Sequence, residues 1–333
     1  MTLGYVVGSP GSEDVAWVRR YGGPVSHSIL DASFKTFRVS GIEGFIGFRL
    51  HHGCAVAMGD PICHPEYRED LARAFAAYCA EYSWPVIFAV ASDAMRPFIE
   101  QSGGALVQVA ELLIADPQQD PLNGPRGSHL RTCNRHSARE GVTVREYDGN
   151  GAPDPALEER VMRAMETWRS QRQGLQLHIG SHLVFRTKKG CRWFLAEQAD
   201  RIVGVLTLLE INDELHTSLI DLVFSTPDAP LHTNELLIVT AFQRLKEGDS
   251  RRCWLGVAPG ETAGELKGFG PMSTRLARFF YTLAIRLVPQ KGKGAFWKKF
   301  GIVQKDPLYM MFLTPRVGLR EFRALLSTFN LSL

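Results

Sequence analysis

Three apolar runs in close succession, 192–198, 202–210 and 215–223, limit most strongly how this chain can fold. They read as a meander of strands. Ahead of them, "ALEERVMRAMETWRSQR" places Leu157, Val161, Met165 and Trp168 on one face of a helix. After them, "NELLIVTAFQRLKEG" reads as a helix capped by Asn234 and stopped at Gly248, and "CWLGVA" as a strand. "STRLARFFYTLAIRLV" reads as a helix with Leu276, Phe279, Phe280, Leu283 and Leu287 inside and its arginines outside, and "LYMMFLT" as the last strand. The order α-β-β-β-α-β-α-β demands a mixed sheet with helices on both faces.

The first half is a coarse copy. Strands at 43–50 and 54–58 precede "YREDLARAFAAYCAEYS", a helix with Leu71, Ala74, Phe75 and Tyr78 at helical spacing. "PVIFAVA" is a buried strand bounded by Pro85. Asp93 is placed to cap a short helix ending at Gly103-Gly104, and "ALVQVAELLIA" closes the half as a strand. The polar, turn-rich "DPQQDPLNGPRGSH" (116–129) is the expected linker, giving units of 1–125 and 126–333. The order of elements resembles the GNAT acyltransferase fold, so the expected class is α/β: two tandem GNAT-like domains with mixed sheets.

Composition is globular, with 45% hydrophobic and 22% charged residues in 333. No run of about 18 apolar residues predicts a membrane span. The N-terminus lacks the basic start and apolar stretch of a signal peptide. Six scattered cysteines without a CxxC pair fit free thiols in a reducing cytoplasm. Net charge is +3, but residues 251–305 hold eleven Lys/Arg against two acids. Such a concentration suits phosphates, on nucleic acid or anionic lipid, or simply a solvated surface.

Acyl-CoA-dependent GNAT enzymes need a Gly-rich loop whose N–H groups hold a pyrophosphate at a helix N-terminus. At the corresponding place "FSTPDAPLHTNE" has no glycine. "QKGKGA" (290–295) is misplaced and opens no clear helix. "HHGCAVAMGDPICH" holds His51, His52, Cys54, Cys63 and His64 but lacks a zinc-ligand spacing, so these read as structural, with no metal or cofactor expected. Arg131, Arg135 and Arg139 share a helix face suited either to phosphate or to solvent. Asp221 lies in the apolar run "HTSLIDLVF", where a carboxylate serves as general base or as a bonded strand end.

Several ordered landmarks are similar to the cytosolic catalytic domain of bacterial phosphatidylglycerol lysyltransferases and alanyltransferases (multiple peptide resistance factors). "AMGDPI" resembles the family's G-D-P turn. "HLRTCNRHSAREGVTV" resembles L-R-x-x-x-N-x-x-x-R-x-G, "LQLHIG" resembles F-S-L-G, and "LIDLVF" resembles D-L-M-R. "AFWKKFGIVQKDPLYM" resembles F-K-x-K-F-x-P-x-W-x-P-R-Y-L. The resemblance spans roughly residues 24–314. It implies an enzyme that moves an amino acid from aminoacyl-tRNA to a lipid hydroxyl through a tunnel between two GNAT-like domains. It also implies a cytoplasmic location at the inner face of the membrane, with no DNA partner. Asp221 is implied as catalytic. Lys299, Lys298, Arg131, Asn134, His178 and Asp60 are implied as substrate-binding.

The sequence departs from that pattern in places. Phe224 stands where the family has arginine, Trp297 replaces the first lysine of F-K-x-K-F, and Ile302-Val303-Gln304 replaces P-x-W. A membrane-spanning flippase half is not expected within this sequence. Two alternatives stay open: an acyltransferase using acyl-CoA or an acyl-carrier donor, and a non-catalytic relative.

Overall fold

The period-two runs become strands and the 3.6-period runs become helices. The structure is a computed structural model and describes residues 4–170, 185, 188–211, 216–248, 250–287 and 293–330. The first half contains β1 (Tyr5–Gly8), α1 (Asp14–Tyr21), β2 (Lys35–Val39), β3 (Gly44–His51), β4 (Cys54–Met58), β5 (Ile62–Cys63), α2 (Arg68–Glu81), β6 (Val86–Ser92), α3 (Arg96–Gln101) and β7 (Ala105–Ala115). The second contains α4 (Ser128–Arg139), β8 (Thr143–Asp148), α5 (Pro155–Ser170), β9 (Cys191–Gln198), β10 (Arg201–Ile211), β11 (Thr217–Ser225), α6 (Thr233–Glu247), β12 (Arg252–Pro259), β13 (Leu266–Lys267), α7 (Pro271–Leu287), α8 (Lys293–Lys298), β14 (Ile302–Phe312) and α9 (Leu319–Thr328).

All these strands join one mixed sheet, in the order β1-β2-β3-β4-β6-β14-β7-β12-β11-β10-β9-β8, with β5 and β13 as short side partners of β3 and β7. β4 with β6 and β11 with β12 are the parallel pairs. The chain's last strand crosses back and inserts, antiparallel on both sides, between β6 and β7. β7 in turn pairs with β12. The two halves are therefore sewn together by backbone hydrogen bonds in both directions, and the expected α/β class with a mixed sheet is what the chain adopts.

Helix faces explain the layers. α2 buries Leu71, Ala72, Phe75, Tyr78 and Cys79, spaced as one helical stripe. Its Phe75 ring sits 5.3 Å from Phe37 and 5.1 Å from Phe48, beneath the first half of the sheet. α6 buries Leu237, Ile238, Val239, Ala241, Phe242 and Leu245 against the second half. α5 buries Leu157, Val161, Ala164, Met165 and Trp168, the expected stripe with Ala164 added.

Several expectations are corrected. Ser92, not Asp93, caps the short 3₁₀ turn after β6, its hydroxyl accepting from the Ala94 N–H. His232, not Asn234, occupies the N-cap position of α6, in left-handed backbone with φ +71°. On α7 the inward face carries Ala277, Phe280, Tyr281 and Ala284, while Leu276 and Phe279 are exposed. Apolar residues cover more than half of that helix's circumference, with Arg275, Arg278 and Arg286 on the remainder, so its pattern alone does not choose the buried face. The side chain of Leu287 lies outside the described residues. The segment at 293–298 does open a helix, α8. α9 follows the strand expected to be last, and its Phe322 stacks on Phe280 of α7 at 4.4 Å.

Candidate functional site

The parallel pair β11–β12 is in register only from Thr217–Arg252 to Leu219–Trp254. Beyond that point the strands part, because each carries a bulge. On β11, Leu222 faces Thr207 and Ile220 faces Leu208, leaving Asp221 without a ladder partner. On β12, Trp254 faces Ile114 and Gly256 faces Leu113, leaving Leu255 as the extra residue. Gly256 has φ +118°, which side chains other than hydrogen rarely adopt. Two further bulges fall at Val90 of β6 and Val109 of β7, both opposite β14. Asp221, Leu255, Val90 and Val109 all line a single cavity of about 620 Å³. Bulges bend strands and re-aim side chains, and here four of them open a hollow at the seam of the two halves.

The cavity wall is mostly apolar. Trp168, Phe280, Phe296, Trp297, Met310, Phe312, Phe322 and Phe329 contribute to it, with Asp221, Asn234 and Tyr281 as its polar side groups. The Tyr281 hydroxyl lies 2.8 Å from the Val109 carbonyl and 2.6 Å from that of Gly260, which anchors α7 to β7 and the end of β12. Burial pushes this phenol up to about 12. Asp221 is exposed on its bulge, and among the described residues its carboxylate has no hydrogen bond or ion pair. A carboxylate at the edge of an apolar hollow, with its lone pairs unengaged, can accept a hydrogen bond from a hydroxyl or take its proton.

Phe224, three residues on, is fully buried and stacks on Trp168 with 4.8 Å between centroids and 27° between planes. It backs Trp168, which lines the cavity, at the position where the resembled family has an arginine.

The start of α6 bears on the donor. Glu235 is buried in its first turn and accepts from Lys299 at 2.8 Å. Burial disfavours the charge, but the hydrogen bonds from Lys299 and from backbone N–H hold the carboxyl below the ordinary carboxylate range. The carboxylate and Lys299 thus form a pair at this helix N-terminus, and the loop ahead of it, residues 224–235, has no glycine to bring backbone N–H groups close to a pyrophosphate.

The structure disperses the other expected site residues. Lys299 is engaged by Glu235, and Lys298 beside it is exposed. The Arg131 guanidinium donates to the carbonyls of Leu122 and Gly124, holding the linker against α4. Asn134, also on α4, keeps its Oδ1 buried with no partner among the described residues. Asp60 accepts from the Ser92 N–H at 2.8 Å and its hydroxyl at 2.6 Å, fixing the turn after β4 to the end of β6. None of these lines the cavity that Asp221 borders. His178 lies outside the described residues.

Sequence reasoning missed Asn234, which lines the cavity while its Oδ1 is buried and, among the described residues, unpartnered. It also missed the roles of Trp168 and Tyr281. The sequence pattern offers Asn234, one residue before Glu235, only as a cap; its place beside the cleft depends on how α6 enters, which local patterns do not encode.

The model of the family described as phosphatidylglycerol lysyltransferase, C-terminal, matches residues 16–311. The chain is 25% identical over 233 residues to the lysylphosphatidylglycerol biosynthesis bifunctional protein LysX of Mycolicibacterium vanbaalenii, covering 68% of this chain and 21% of that protein. It is similar in structure to L-PGS from Bacillus licheniformis, with a TM-score of 0.80 at 18% identity and 97% of each chain covered. It is also similar to the C-terminal domain of a putative lysylphosphatidylglycerol synthetase from Agrobacterium fabrum, with a TM-score of 0.77 at 20% identity over 94% of this chain and 93% of that one. The chain spans about a fifth of the length of the curated relatives it matches. Among the described residues no helix is long and apolar enough to cross a membrane.

Proposed function

The chain belongs to the phosphatidylglycerol lysyltransferase C-terminal family, and we propose that it transfers an aminoacyl group from aminoacyl-tRNA to the hydroxyl of a lipid. The observation that carries this reading is Asp221, exposed and unpartnered among the described residues, at the edge of an apolar cavity of about 620 Å³. The apolar wall suits lipid chains and the carboxylate suits the acceptor hydroxyl. Units at 1–125 and 126–333 then share the work: the second supplies Asp221 and lends β14 to the first.

In the reaction the acceptor oxygen bonds to the ester carbonyl carbon, and the bond from that carbon to the tRNA ribose oxygen breaks. The acceptor proton passes to the departing ribose oxygen, with Asp221 taking it in between. The ester is already activated, so positioning and exclusion of water supply most of the rate. Trp168, Phe296 and Trp297 provide the dry wall, with Phe224 stacked behind Trp168. The glycine-free loop 224–235 ahead of α6 argues against an acyl-CoA donor. Lys298 and the basic stretch around it suit phosphates of the donor. Met272, Leu276 and Phe279, exposed on α7 beside Arg275 and Arg278, suit docking at an anionic lipid surface.

The test supplies purified protein with total tRNA charged with radiolabelled amino acids and a bacterial lipid extract, then separates the organic phase by thin-layer chromatography. A labelled, base-labile lipid is expected. Absence of label, with charged tRNA and folded protein demonstrated, overturns the reading. Thermal stabilisation by acyl-CoA would then point to the other donor.

A further inference from the structure

Away from Asp221, between α4 and the first turn of α6, side chains of metal-binding type converge. Cys133 Sγ, a ring nitrogen of His232 and a carboxylate oxygen of Glu235 all lie within 4.8 Å of one another. Cys133 and Glu235 are buried and His232 is half-buried. One helical turn before Cys133, the exposed His129 reaches in and brings Nε2 to 3.5 Å from Cys133 Sγ. His232 Nδ1 is 3.4 Å from Glu235 Oε1. In a tetrahedral zinc site with ordinary bond lengths, ligand atoms are about 3.6 Å apart. Both distances are close to that edge; Cys133, His232 and Glu235 form the convergent set, and His129, its ring centroid 6.2 Å from that of His232, joins it by swinging further in from Cys133. His232 also holds a left-handed backbone conformation at φ +71°, which a non-glycine residue keeps only where its surroundings over-determine it. His loops such as 51–64, which carry more histidines in sequence, assemble no such set among the described residues.

We propose that His129, Cys133, His232 and Glu235 form a tetrahedral site for a zinc-type divalent cation that ties α4 to the N-terminus of α6. A thiolate with imidazoles favours zinc over the hard cations. Thiolate and carboxylate together balance the dication. Lys299 donates to Glu235 Oε1, and a carboxylate has lone pairs enough to serve a metal as well, so Lys299 becomes the outer partner that orients this ligand. None of the four ligands lines the cavity, so the site is structural and closed to substrate. Its next residue in sequence, Asn234, does line it, so the clamp fixes how α6 meets the cleft.

The test is independent of any transfer activity. The full chain, purified without chelator from zinc-supplemented culture and dialysed, is analysed for metal by mass spectrometry, with about one zinc per chain expected. Cobalt loading of the metal-stripped protein is expected to give tetrahedral d–d bands and a thiolate-to-cobalt charge-transfer band. Cys133→Ser removes the charge-transfer band. His129→Ala, an exposed position that leaves folding intact by circular dichroism, weakens zinc affinity by about 10-fold or more. Folded protein that carries no zinc and gives no charge-transfer band in excess cobalt overturns the proposal. So does a band that survives Cys133→Ser.

Discussion

Replacing Asp221 by asparagine separates catalysis from stability. The side chain keeps its size and one acceptor oxygen but can no longer take a proton. Asp221 is exposed, sits outside the ladder on a bulge, and has no hydrogen bond or ion pair among the described residues. The substitution removes no packing, so stability should change by less than about 0.5 kcal/mol. Catalysis should change far more. A positioned general base contributes on the order of 10²–10⁴ in rate, about 3–5 kcal/mol at about 1.4 kcal/mol per decade. The loss should fall on kcat, because the apolar wall that binds lipid is untouched and KM reflects that binding. The assay is initial-rate transfer of labelled aminoacyl groups to lipid, with thermal unfolding of the same preparation beside it. If Asp221 only orients the hydroxyl, Asp221→Asn stays within tenfold of the parent while Asp221→Ala does not. Full activity in both variants, or unfolding several degrees earlier, would refute the role.

Three other perturbations test the framework around the site. In metal-stripped protein Lys299→Met strands the buried Glu235 carboxylate and should cost about 3 kcal/mol; adding Glu235→Gln should recover part of it, a coupling that a double-mutant cycle in urea reads directly. Tyr281→Phe leaves the carbonyls of Val109 and Gly260 without that hydroxyl and should cost about 1–2 kcal/mol, seen as earlier proteolysis within α7 as well as a lower Tm. For Glu158, burial works to raise the carboxyl, but hydrogen bonds from Lys188 at 2.6 and 2.8 Å and from Tyr147 at 2.5 Å bring it below its ordinary value of 4.5. A depressed carboxyl stabilises above that ordinary value and loses the contribution as pH falls through its folded value. Glu158→Gln should therefore cost about 1 kcal/mol at pH 7, and the difference from the parent should shrink below about pH 4.5; a gap that is flat down to pH 3 would contradict the pairing.

Local pattern carried most of the elements, and it failed where partners come from far along the chain. The stripe Leu157, Val161, Met165, Trp168 and the three-strand meander could be read because each repeats its own period over several turns or residues. The phase of α7 could not, since Leu276, Phe279, Phe280 and Leu283 offer two apolar faces and only Phe322 of α9 and the cavity choose between them. The cap of α6 went to His232 rather than Asn234 because the backbone enters that helix in left-handed conformation, a feature that favours Gly or Asn and gives no sign in a histidine.

Asp221 was visible as a carboxylate inside an apolar run, but its chemical freedom was not. That freedom follows from a one-residue mismatch between β10 and β11, and a bulge is a property of two strands rather than of one. The same holds for the basic, aromatic stretch before β14. In sequence it resembles a surface for phosphate. In the fold Phe300 is buried, Phe296 and Trp297 line the cavity, Lys299 is bound to Glu235, and Lys298 alone of the lysine pair is left exposed. The strand that follows must reach between β6 and β7, some 200 residues earlier in the chain. A rigid aromatic anchor immediately before it fixes where that insertion starts, and the insertion closes the cavity floor with Met310 and Phe312. The segment is therefore shaped first by the need to seat β14, and any contact it makes with a phosphate is left to the one lysine that packing does not claim.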